Sequence, residues 1–131
     1  MSTTISVLVV VDVENALASG NLGANVYMID TQKHEGSGNE GQDELYTACH
    51  EGDQINWTVA PVSPQTTASI AGFTGTMVSS KICVPKSYDS PSGSYWAGLV
   101  ESQGQTGNIQ YSMNISMDGK VLTFDPFLKI S

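Results

Sequence analysis

Two histidines, His34 and His50, and two cysteines, Cys49 and Cys83, are the residues of this 131-residue chain best suited to act as bases, nucleophiles or soft metal ligands. A blue-copper centre needs a cysteine, two histidines and a weak axial ligand. Both histidines precede Cys83 and none follows it, which excludes copper. No serine or cysteine is tied to either histidine by a nucleophile-elbow or metalloprotease spacing, so no catalytic role is read and the chain is expected not to be an enzyme.

The carboxylates offer a second kind of chemistry. The segment TQKHEGSGNEGQDE carries Glu35, Glu40, Asp43 and Glu44 among glycines. Hard cations take several oxygens from a flexible loop, and calcium would draw on Glu40, Asp43 and Glu44. The spacing does not fit an EF-hand, and the base expectation is a solvated loop with no cofactor. The same loop could hold sugar hydroxyls through Asn39, Asp43 and Glu44. An exposed aromatic ring would complete such a site. In YWAGLVE, alternation turns one of Tyr95 and Trp96 inward and the other outward, and Glu101 on Tyr95's side marks Tyr95 as the outward ring.

Charge limits the partners. Charged residues are 14% of the chain, against roughly 25% in an average soluble protein. Five lysines, no arginine and thirteen acidic residues give a net charge of −8. Without arginine the chain lacks the bidentate phosphate ligand, so nucleic acid and anionic membranes are not expected partners. The apolar run Ile5–Val11 is too short to span a bilayer and has no basic residue before it. That reading predicts a cytoplasmic protein with two reduced cysteines, although export without a signal peptide would leave no mark in the sequence.

Strands must position these groups. TISVLVVVDV is a first strand, apolar on both faces and therefore in need of cover on both. NVYMID is a second. LYTACHEGDQINWTVAP reads as a hairpin turning at Glu51–Asp53, and KSYDSPSGS as a loop. From Asn108 to Met117 the alternation is unbroken: Ile109, Tyr111, Met113, Ile115 and Met117 on one side, amides and hydroxyls on the other. Asp118-Gly119 is a strong two-residue hairpin signal. It pairs Ile115 with Leu122, Met113 with Phe124, Asn114 with Thr123 and Ser112 with Asp125, and Pro126 then interrupts the ladder. The core is expected to include Val7, Val9, Ile55, Trp57, Tyr111, Met113, Ile115, Leu122 and Phe124. These elements predict an all-β, single-domain antiparallel β-sandwich over residues 1–131, with about seven or eight strands.

Two polar strand faces carry no charge: Gln54, Asn56 and Thr58 on one strand, and Gln110, Ser112 and Asn114 on another. Such faces can meet without burying unpaired charge, which makes them candidate self-assembly surfaces and a homodimer the simplest product.

Three stretches, in order, resemble one bacterial family: ISVLVVVDVENAL, then VYMID through GDQINWTV, then YWAGLVESQGQTGNIQYSMNISMDGKVLTFDPFLKI. The likeness is to the inclusion-body protein family of the AidA/PixA type. It implies a small, abundant, non-catalytic β-sandwich protein, made under quorum-sensing or stationary-phase control and able to accumulate in cytoplasmic inclusions. The resemblance implies no catalytic residues. A lectin-like role, assisted by calcium, is the alternative function.

Overall fold

The computed structural model describes residues 3–32, 35–38, 41, 44–91 and 93–131. The described residues form eleven strands: β1 (Thr4–Val11), β2 (Val26–Asp30), β3 (Tyr46–Cys49), β4 (Gln54–Pro61), β5 (Ser69–Thr74), β6 (Lys86–Ser90), β7 (Gly93–Leu99), β8 (Gly107–Gln110), β9 (Ser112–Met117), β10 (Lys120–Phe124) and β11 (Phe127–Ile130). Two short helices, α1 (Val13–Ser19) and α2 (Thr76–Ser79), fill connections.

The all-β class holds, but the predicted count and pairing do not. One sheet has five strands in the order β2-β1-β4-β7-β6, and two have three strands each, β10-β9-β5 and β3-β11-β8. Most pairs are antiparallel, yet β1 runs parallel to β4 and β11 parallel to β3. The sheets are therefore mixed, with more strands than seven or eight. The expected hairpin between residues 45 and 59 is absent: β3 joins β11 while β4 joins β1 and β7. The buried carboxylate of Asp53 holds the point of departure. It accepts from the backbone N–H of His50 and from that of Thr3, both at 2.9 Å, which ties the turn to the start of β1.

The C-terminal hairpin follows the predicted register throughout. Leu122 faces Ile115, Phe124 faces Met113 and Thr123 faces Asn114. Asp118 and Gly119 both take positive φ, 48° and 82°, as a two-residue turn of this kind requires. At Asp125-Pro126 the ladder breaks, and the N–H of Tyr111 donates to the Pro126 carbonyl at 3.0 Å to hold the two halves of the hairpin in line. Beyond the break β8 pairs with β11.

The inward residues of all three sheets meet in one hydrophobic cluster. Ile5, Val7, Val9, Val11, Ile55 and Trp57 come from the five-stranded sheet. Opposite stand Tyr111, Met113, Ile115, Met117, Phe124, Leu128 and Ile130. Every predicted core residue is buried except Leu122, which is half-buried against the cluster. Trp57 and Tyr111 are both inaccessible, and the indole Nε1 donates to the Tyr111 hydroxyl at 3.2 Å across the layers. Phe73 packs on Trp57 and on Trp96, with ring centroids 4.7 and 5.6 Å apart. Trp96 is thus the inward ring of the Tyr95-Trp96 pair.

Tyr111→Phe would leave the Trp57 N–H buried without an acceptor, at a cost of about 1–3 kcal/mol. In urea unfolding, this variant is expected to lose that much stability. An unchanged midpoint would show that the bond contributes nothing.

Candidate functional site

The sequence-predicted residues fall in three separate places. Gln54, Asn56 and Thr58 lie on the outer face of the five-stranded sheet, alternating with buried Ile55 and Trp57. Gln110, Ser112 and Asn114 face outward from the opposite layer, alternating with buried Tyr111 and Met113. The two uncharged runs therefore form two surfaces rather than one. The second is partly spent within its own sheet: Ser112 Oγ donates to Asp125 at 2.6 Å, and Thr123 Oγ1 donates to Asn114 Oδ1 at 2.7 Å.

The described part of the acidic loop lies apart from Tyr95. Asn39, Glu40, Asp43 and His34 lie outside the described residues. Glu44 is exposed just before β3, and the N–H of Gly41 donates to the Met28 carbonyl on β2. Tyr95 is on β7, three strands across the sheet from β2, roughly 14 Å at the usual strand spacing. Among the described residues no group of three or more His, Cys, Asp or Glu could hold a metal ion.

His50 has a structural partner. Its Nδ1 lies 2.9 Å from the backbone oxygen of Ser131, an acceptor that favours the proton on Nδ1. The two cysteines are free and buried. Burial, with Asp53 nearby, pushes the Cys49 thiol up to about 12. Burial, then Glu101, does the same for Cys83. Neither is a thiolate nucleophile near neutrality.

The outer face of the five-stranded sheet is the surface with the most to offer. At one corner Leu8 and Val10 of β1, Tyr27 and Ile29 of β2, and Ala60 and Val62 at the end of β4 form an apolar patch. Tyr27, Ile29 and Val62 are 50%, 43% and 58% exposed. The second face of β1 was expected to be covered, and none of the described residues covers it fully: Leu8 and Val10 are only half-buried. At the diagonal corner a cleft of about 620 Å³ is bounded by Gln54, Lys86, Tyr88, Tyr95, Leu99 and Glu101. Tyr88 and Tyr95 are opposite each other on β6 and β7 and stack at 5.7 Å, 25° from parallel. Sequence reading took KSYDS for a loop because both of its faces are exposed and no apolar alternation marks it. It is the edge strand β6, and the tyrosine pair was the signal available.

This layered β architecture has known counterparts. The family model described as "Domain of unknown function (DUF8788)" matches residues 3–123, and the chain belongs to that family. Among solved structures it is similar to the crystal structure of an inclusion body protein, PixA, from Burkholderia cenocepacia J2315. The TM-score is 0.75 over 100% of this chain and 97% of that one, at 12% sequence identity. The likeness to PixA read from the sequence is thus shown, as a likeness of fold. No curated protein matches the sequence.

The thiols give a test in two parts. Native protein at mildly alkaline pH should resist a thiol reagent, and unfolded protein should react at both cysteines. Each thiol's folded pKa of about 12 exceeds its ordinary value of 9.0. The unfolded state therefore loses these protons first, so this contribution to stability is full below pH 9.0 and is lost as pH rises towards about 12. Denaturant midpoints measured across that window should fall, and more shallowly in Cys49→Ala.

Proposed function

We propose that the protein is a non-catalytic bacterial protein of the inclusion-body type whose copies associate through the outer face of the five-stranded sheet, accumulating in the cytoplasm. One observation carries this reading: Leu8, Val10, Tyr27, Ile29, Ala60 and Val62 form a contiguous apolar patch with no charged side chain among them. Contiguous exposed apolar surface of this kind favours association. The uncharged Ser6, Asn56 and Thr58 continue the same face, so extending the contact buries no ion. Two-fold pairing of the patch with itself closes the assembly as a dimer. The fold shared with an inclusion body protein supports the reading. A carbohydrate site made of the acidic loop and Tyr95 forms no part of it, because Tyr95 stands three strands from the edge against which Gly41 packs.

Sedimentation over a wide concentration range tests it. Wild-type protein should associate, and Tyr27→Lys or Val62→Lys should weaken association at least about tenfold, or ~1.4 kcal/mol, without loss of fold. Gln110→Lys, on the opposite layer, should leave it unchanged. Association lost in Gln110→Lys alone would move the interface to β8 and β9. A monomer at every concentration would sink the proposal.

A further inference from the structure

The cleft at the other corner of the face differs in kind from the apolar patch, and the assembly reading does not account for it. Its volume, about 620 Å³, is that of a ligand site. A second hollow of about 240 Å³ shares Tyr95 with it and is lined by Ser6, Asn56, Thr58 and Ser94. The two form a groove running over the Tyr95 ring. One end holds the tyrosine stack with a lysine and a glutamate. The other is lined by hydroxyls and amides and carries no charge.

The polar groups along the groove are oriented but not used up. Gln54 Nε2 donates to Asn56 Oδ1 at 2.9 Å, which fixes both amides. The Gln54 carbonyl oxygen and the Asn56 amide nitrogen are left without a partner among the described residues. An acceptor and a donor thus stand side by side, the arrangement that serves a hydroxyl group, which both gives and takes a hydrogen bond. Lys86 and Glu101 line the same cleft with no ion pair between them. They add a donor of three bonds and an acceptor of several. Tyr88, 47% exposed, and Tyr95 supply apolar ring surface with polar tips.

The ligand's class follows from these groups. The net charge of −8 and a single lysine in the groove disfavour phosphates and other anions. An extended peptide is recognised mainly by adding to a sheet edge through its backbone. Over β4 and β7 this groove lies on the face of the sheet, where neighbouring strands already take the backbone bonds and side chains are what is offered; the edge strand β6 forms only its rim. We infer that the groove over Tyr95 is a binding site for an uncharged oligosaccharide, with sugar rings packed on Tyr88 and Tyr95 and hydroxyls held by Gln54, Asn56, Lys86 and Glu101. The site does not rest on the assembly reading, and it borders the apolar patch along Ser6, Asn56 and Thr58.

The test uses isotope-labelled full-length protein titrated with cellotetraose, maltotetraose, chitotetraose and mannotetraose, followed by amide chemical shifts. At least one should bind at millimolar concentration or below, moving amides of residues 54–58 and 94–97. Tyr95→Ala should weaken binding at least about tenfold, while Tyr95→Phe, which keeps the ring, should stay within about threefold. Tyr27→Lys should bind as wild type does, which separates this site from the assembly surface. Should Tyr95→Ala not fold, Glu101→Gln with Asn56→Ala takes its place, with the same tenfold loss expected. Absence of binding by all four sugars, shifts confined to another surface, or equal binding by Tyr95→Ala and Tyr95→Phe would each overturn the assignment.

Discussion

The layers are joined where Trp57 meets Tyr111. The indole N–H and the phenol oxygen are polar atoms inside the apolar cluster, and the oxygen accepts the indole's hydrogen bond. A pair of this kind does more than fill space. Aliphatic side chains can slide past one another with little penalty, but a shifted indole would strand its N–H in a dry interior. The bond therefore fixes the register of β4 in the five-stranded sheet against the β8–β9 strand opposite. Phe73 and Trp96 extend the contact to β5 and β7, so four elements share one aromatic junction. Burial pushes the Tyr111 phenol above its ordinary range, which keeps its proton and its role as a neutral partner.

With the core fixed this way, the two sides of the five-stranded sheet part company. Inward positions accept only apolar groups. Outward positions are free to vary, yet they carry few charges, and the charges that occur, Lys86 and Glu101, gather at one corner. The face is thereby split along a diagonal into a patch that avoids water and a groove that engages it. The Ser6, Asn56 and Thr58 band between them suits either use.

What the sequence made readable was local. The C-terminal hairpin could be aligned residue by residue because its turn chemistry and its period of two are both contained in a short stretch. Inward Trp96 and outward Tyr95 followed from parity once Glu101 marked the outward side. Partner choice was not readable where it is non-local. Residues 45–59 alternate as a hairpin would, but alternation reports which face is buried and not which strand lies alongside. Asp53, looking like an ordinary turn residue, is the group that sends the two strands to different sheets. The groove was half visible. Tyr95 was read as an exposed ring, but Tyr88 lay in a segment whose exposed, alternation-free residues concealed an edge strand, and Gln54 and Asn56 were read as a surface for self-contact.

The parallel pairing of β1 with β4 has a consequence in time. Each residue of β1 sits beside the one fifty positions later, Thr4 by Gln54 through to Val11 by Pro61. A ribosome adding about 5–20 residues per second needs roughly 3–10 s to make that interval. Throughout it, one edge of a valine-rich, uncharged strand has no native partner, since β2 supplies only the other side. A segment of this composition, held open during synthesis, is the kind that pairs with copies of itself on neighbouring nascent chains. A slower passage through residues 12–61 lengthens the time for which that edge stays open.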